Sequence, residues 1–100
     1  MTQISFGSGL LYTTAGVSSV MEQDRRFAEF IHHSIKRHIN CDFGDIDPED
    51  RGCNEQAILD GGRIFSVYKS NTHIEEDPTK IWVITEADRS TTSDLFPREY

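Results

Sequence analysis

Lys80-Ile-Trp-Val-Ile-Thr-Glu-Ala-Asp-Arg-Ser-Thr-Thr92 is the stretch that decides the fold. Ile81 and Val83 alternate with Trp82 and Ile84, so both faces of a strand over Lys80 to Glu86 are apolar. A strand that is apolar on both sides belongs in the middle of a sheet. Asp88-Arg89-Ser90 reads as a turn, and Thr91 to Phe96 as the returning strand. Upstream, Arg63 to Lys69 alternates in the same way, with Ile64, Ser66 and Tyr68 opposite Phe65 and Val67. These runs predict a three-stranded antiparallel meander at the C-terminal end. Trp82 and Ile84 are expected beneath a helix layer or a subunit interface, where Trp82→Ala would cost about 3–5 kcal/mol.

The first half reads as helical. Leu10-Leu-Tyr-Thr-Thr14 is short, apolar and β-branched, a strand signal, and Thr14 can cap a short helix over Ala15 to Glu22 with Val17, Val20 and Met21 on one side. Asp24 caps the strongest helix, which runs to Ile39. Its Phe27, Phe30, Ile31, Ser34, Ile35 and His38 recur at three- and four-residue spacing. Lys36, Arg37 and His38 complement the dipole at its end. After the loop Asn40 to Asp47, Asp47-Pro48 opens a third helix with acids in its first turn, and Gly61-Gly62 ends it. Cys53, Asn54, Ala57 and Ile58 are its expected inner face. The fold class read from this pattern is α+β, one domain over residues 1–100, with helices in the first half packed on a C-terminal three-stranded antiparallel sheet.

Composition narrows the function. With 17 acidic against 10 basic residues the formal charge is −7, which disfavours direct binding to nucleic acid, where affinity comes from neutralised phosphates. The same charge suits a partner with a basic surface, or simply keeps a small protein in solution. No apolar run approaches a membrane span. The N-terminus lacks the layout of a signal peptide, so the cytoplasm is the expected compartment.

Four groups of residues invite chemistry. Asp42, Asp45, Asp47, Glu49 and Asp50 crowd one loop and helix start. A calcium loop needs a glycine at its sixth position and an acid at its twelfth; counting from Asp42, Cys53 stands twelfth, so helix capping or an acidic contact surface is the reading. His38 and Cys41 have a metal-like spacing but lack the paired ligands of a zinc site. No metal, disulfide or other cofactor is expected, and His38 is expected to bond locally at its helix end. Glu86, Asp88, Arg89 and Ser90 cluster at the last turn without a nearby histidine, which predicts a backbone-bonded turn with an Arg89 ion pair rather than a catalytic set. Glu75, Glu76 and Asp77 form a second acidic run in the loop Ser70 to Thr79.

Arg37-His-Ile-Asn-Cys-Asp-Phe-Gly-Asp-Ile-Asp-Pro-Glu-Asp-Arg51, then Asn54 to Tyr68 with its Gly61-Gly62-Arg63-Ile64, then Lys80 to Thr92 and Pro97 to Tyr100, resemble one family. It comprises small bacterial proteins carried on plasmids, phages and other mobile elements, labelled plasmid-related or attached loosely to type I restriction systems. The likeness covers roughly the last two thirds of the chain in order and at compatible spacing. The family pattern His-Gln-Ser-Gly-Asp-Trp-Gly-Asp stands here as His38 to Asp45, with Cys41 in place of the usual glycine. The resemblance implies a setting, mobile DNA facing host defence, and brings no chemistry with it.

The reading that follows is a non-enzymatic interaction protein of the anti-CRISPR or anti-restriction type. It would bind and inhibit a host nucleic-acid-targeting complex, with Asp42, Asp45, Glu49 and Asp50 leading the contact and Glu75, Glu76 and Asp77 second. The expected partner is a host protein or ribonucleoprotein with a basic surface, not nucleic acid itself and not a membrane; the chain would act as a monomer or homodimer. The alternatives are a small regulatory subunit of a restriction-modification type system, favoured if Glu86, Asp88, Arg89 and Ser90 converge in a pocket, and a structural or dimerisation module.

Overall fold

A computed structural model of the chain describes residues 7, 9–70 and 80–100. The elements run β1 (Leu10–Thr13), α1 (Ala15–Gln23), α2 (Arg25–Ile39), α3 (Pro48–Asp60), β2 (Ile64–Lys69), β3 (Lys80–Thr85) and β4 (Thr91–Leu95), closed by a 3-10 turn at Pro97–Glu99.

The caps explain where the helices start. Thr14 accepts from the Val17 amide, Asp24 from those of Arg26 and Phe27, and Asp47 from that of Asp50. Each side-chain oxygen satisfies an amide that has no partner within its helix. Gly61, at φ 90, ends α3 in the left-handed region that glycine enters without steric cost.

The sheet has four strands in the order β1-β4-β3-β2. The antiparallel meander is present, with Val67 opposite Trp82 and Ile84 opposite Ser93. The expectation of a purely antiparallel three-stranded sheet is corrected by β1, which adds parallel to β4 with Leu11 opposite Thr92. The three helices between β1 and the meander carry the chain away before β4 returns beside β1. The sheet is therefore mixed, and one of its strands precedes every helix.

The helix layer covers one face. Phe27, Ile31 and Val17 from α1 and α2 pack with Tyr68, Ile81, Val83 and Phe96. α3 lies nearer the β2 edge, where Ala57, Phe43 and Ile64 form a smaller cluster. Of the expected inner face of α3, Asn54 and Ala57 are buried and Ile58 half-buried, whereas Cys53 is exposed. Strand alternation puts Ile81 and Val83 under the helices and turns Trp82 and Ile84 to the opposite face. Ile84 is buried there. Trp82 is half-buried, edge-on to Phe65 at 5.2 Å and to Tyr100 at 5.5 Å between ring centres. The expected core position is thus corrected, and with it the cost. Trp82→Ala is now expected to lose about 1–2 kcal/mol in urea unfolding. A loss above about 4 kcal/mol would mean the indole is held as a core residue.

Candidate functional site

The acidic segment begins where α2 runs out. Cys41 takes a left-handed backbone, φ 64, and turns the chain. Asp42 then reaches back to Arg37, with Arg37 Nε at 2.8 Å and Nη2 at 3.1 Å from its two oxygens. The Arg37 guanidinium also lies 4.8 Å from the centre of the Tyr68 ring, and the Tyr68 hydroxyl donates to the Asp42 carbonyl at 2.6 Å. The Arg37 hydrogen bond holds the Asp42 carboxyl below its ordinary range.

Phe43 then turns inward, and Gly44 forms a bridge to Val67 of β2. Gly44 has φ 72, and a side chain there would collide with the Val67 carbonyl and the Tyr68 ring. Glycine is what lets the loop lie against the sheet edge. Asp45 follows, its amide donating to the Val67 carbonyl at 2.7 Å and its carboxylate accepting from the Lys69 amide at 3.3 Å. Asp47 caps α3, and Glu49 and Asp50 fill its first turn. Asp42, Asp45, Glu49 and Asp50 are all exposed, and they follow one another along the rim formed by this loop and the first turn of α3. Glu75, Glu76 and Asp77 lie outside the described residues.

Beside this rim is a groove of about 320 Å³ lined by Cys41, Phe43, Arg51, Glu55, Ile58 and Leu59. Leu59 is 81% exposed. Sequence reading missed the groove because Leu59 lies off the buried stripe of α3. The signal was present nonetheless: Arg51, Glu55 and Leu59 recur every four residues and form a second ridge, apolar at one end. The acids also divide by task. Asp42 is tied to Arg37, Asp45 to β2 and Asp47 to its helix, whereas Glu49, Asp50 and Glu55 are exposed on α3.

Two polar groups in the core were not anticipated. His38, expected to bond locally at its helix end, is fully buried and bonds across to the sheet instead. Its Nδ1 lies 2.5 Å from Ser66 Oγ and its Nε2 2.9 Å from Thr85 Oγ1, which lies 2.6 Å from Thr92 Oγ1. Burial lowers His38 to about 4, so the ring is neutral at pH 7. Asp94, 2% exposed, accepts from the Thr13 hydroxyl at 2.9 Å through Oδ2, while Oδ1 has no hydrogen-bond partner among the described residues. Burial, opposed by the Thr13 bond, raises its carboxyl to about 6.

The last turn does not assemble a reactive set. Glu86 pairs with Arg63 at 3.1 Å, and Asp88 accepts from the Ser90 amide at 2.9 Å. The Arg89 guanidinium, expected in an ion pair, donates to the carbonyls of Gly62 at 2.6 Å and Ala57 at 2.9 Å. It thereby ties the β3–β4 turn to the end of α3. Among the described residues no three His, Cys, Asp or Glu side chains gather in a metal-holding group, and no helix is long and apolar enough to cross a membrane. Cys41 and Cys53 are not joined in a disulfide. Compared with known proteins, the chain matches no family model, no curated protein and no solved structure.

Proposed function

We propose that this chain is a non-enzymatic interaction protein that binds and inhibits a host nucleic-acid-targeting defence complex, using the acidic rim and the groove beside it. One observation carries the reading: Asp42, Asp45, Glu49 and Asp50 are exposed on the loop and first turn of α3, next in the chain to a groove lined by Glu55, Arg51 and the apolar Phe43, Ile58 and exposed Leu59. Such a face offers carboxylates to a Lys/Arg surface otherwise held by phosphates, and an apolar seat for an anchoring side chain. The resemblance of residues 37–68 and 80–100 to mobile-element proteins supplies the setting. At the last turn Asp88 accepts from the Ser90 amide, Glu86 pairs with Arg63 and Arg89 donates to the Gly62 carbonyl, an arrangement of structural bonds that lends no support to the regulatory-subunit reading.

The test is transformation of a targeted plasmid into hosts carrying an active restriction or CRISPR system, with and without this chain. Expression should raise recovery by at least an order of magnitude against one of these systems. The triple variant Glu49→Lys, Asp50→Lys, Glu55→Lys should abolish that protection. These three are chosen because Asp42, Asp45 and Asp47 hold local structure. No protection in any such host, or equal protection by a folded triple variant, would contradict the reading.

A further inference from the structure

The two edges of the sheet are finished in opposite ways. On β2 the outward backbone groups are taken. The Phe65 amide donates to Asn54 Oδ1 at 3.0 Å, and the Phe65 carbonyl accepts from Asn54 Nδ2 at 2.7 Å. The Val67 amide donates to the Phe43 carbonyl at 3.2 Å, and the Val67 carbonyl accepts from the Asp45 amide at 2.7 Å. The Lys69 amide donates to the Asp45 carboxylate at 3.3 Å. A buried asparagine and the 43–45 loop close this edge along its length.

β1, at the other end of the sheet, is finished otherwise. The Leu10 amide donates to the Ser90 carbonyl at 2.9 Å and the Thr14 amide to the Asp94 carbonyl at 3.2 Å, so even-numbered residues turn their backbone toward β4. By the period of two, Leu11 and Thr13 turn theirs outward, where no strand is ordered beside them among the described residues. Leu10, Leu11 and Tyr12 are 66%, 54% and 53% exposed. Residues 9–14 contain no charge and no proline, the usual devices that keep an edge from pairing.

We propose that β1 is the self-pairing edge of a homodimer, in which two copies join antiparallel across a two-fold axis into one continuous eight-stranded sheet. The occupant is a second copy because the edge is uncharged and self-complementary. Each copy carries −7, so two copies repel across most surfaces, and this uncharged strip lets them meet without opposing like charges. A backbone ladder is also self-complementary, as a two-fold contact requires. The geometry fixes the register. Gly9, at φ 63 where a side chain would collide with the Ser90 carbonyl, is not extended and cannot extend the ladder. Leu11 therefore pairs with Thr13 of the second copy, giving four amide–carbonyl bonds. Tyr12 then faces Tyr12 of the second copy at the axis, as a close non-hydrogen-bonded pair. This dimer is independent of whether the acidic rim binds a basic partner, since the rim lies at the β2 edge.

Sedimentation equilibrium of the full chain from about 1 µM to about 500 µM should show 11.4 kDa giving way to twice that mass. Leu11→Lys places like charges across the axis and should remain at 11.4 kDa throughout, with an unchanged far-UV spectrum and melting temperature. Tyr12→Cys, with Cys41→Gly and Cys53→Ser to remove the native thiols, should form an intermolecular disulfide on mild oxidation. The opposed Cα atoms would sit about 4.5 Å apart, within disulfide reach. A chain that stays monomeric throughout overturns the proposal and leaves the edge to an extended segment of another protein. A dimer that persists in Leu11→Lys, or that gives no Tyr12→Cys cross-link, overturns it equally.

Discussion

His38→Ala is expected to cost about 3–5 kcal/mol at neutral pH, the largest single loss from any side chain outside the aromatic core. Two effects add. The ring is fully buried between α2 and the sheet, so its removal leaves a void that the strands cannot close. It also leaves the Ser66 hydroxyl, 2.5 Å from Nδ1, without that partner in a site closed to water. Thr85 is less affected because Thr92 remains 2.6 Å away. Urea unfolding followed by circular dichroism and Trp82 fluorescence would measure the loss. A change below about 1 kcal/mol would mean that α2 and the sheet are held together without this polar chain.

Asp94→Asn is expected to expose an acid sensitivity that the parent protein hides. His38 falls from an ordinary value of 6.5 to about 4. Between these values the unfolded chain binds its proton and the folded chain does not, so stability falls as pH drops through that window. Asp94 rises from 3.8 to about 6. Between those values the folded chain holds the extra proton, so stability rises as pH drops. The windows overlap and the signs oppose. From pH 7 to pH 5 the histidine removes about 2 kcal/mol and the aspartate returns somewhat more than 1 kcal/mol, leaving a shallow dependence. Asparagine in place of Asp94 removes the second contribution, so the variant should lose about 2 kcal/mol over that span. Parallel pH profiles for parent and variant would mean that the two buried groups do not titrate in opposition. The carboxyl of Asp42, held low by Arg37, enters only at more acid pH.

Much of the layout was legible because it is local. The alternation in Ile64 to Tyr68 and Ile81 to Ile84, the caps Thr14, Asp24 and Asp47, and the stop at Gly61 are each set within a few residues. What was misplaced depends on contacts distant in sequence. β1 joins the sheet only by meeting β4, some eighty residues later, and four residues of apolar strand do not announce a partner or its direction. The face taken by Trp82 could not be chosen when both sides of β3 were apolar; the helices settled on the side of Ile81 and Val83. His38 followed the stripe of Phe27, Ile31 and Ser34 and was legible as inward-facing, but its partners Ser66 and Thr85 lie on two different strands.

The candidate site divides in the same way. The exposure of Asp42, Asp45, Glu49 and Asp50 followed from a polar loop leading into a capped helix. Their unequal roles did not, because Asp42 and Asp45 acquire theirs from Arg37 and from the edge of β2. Cys41 shows how a residue type can mislead. Its spacing from His38 is metal-like although no metal was expected there, and its place in the chain is defined by a backbone at φ 64, a conformation glycine holds without cost.

A contact between the α3 rim and a basic partner is expected to be governed by exposed charge. Association of the purified chain with whichever host complex the transformation test shows it to block should be followed by interferometry from about 50 mM to about 500 mM salt. The parent should associate fast at low salt and progressively slower as exposed charges are screened. The variant Glu49→Lys, Asp50→Lys, Glu55→Lys should associate at least about tenfold slower at low salt and approach the parent at high salt. A folded triple variant whose association rate equals that of the parent at every salt concentration would contradict the account.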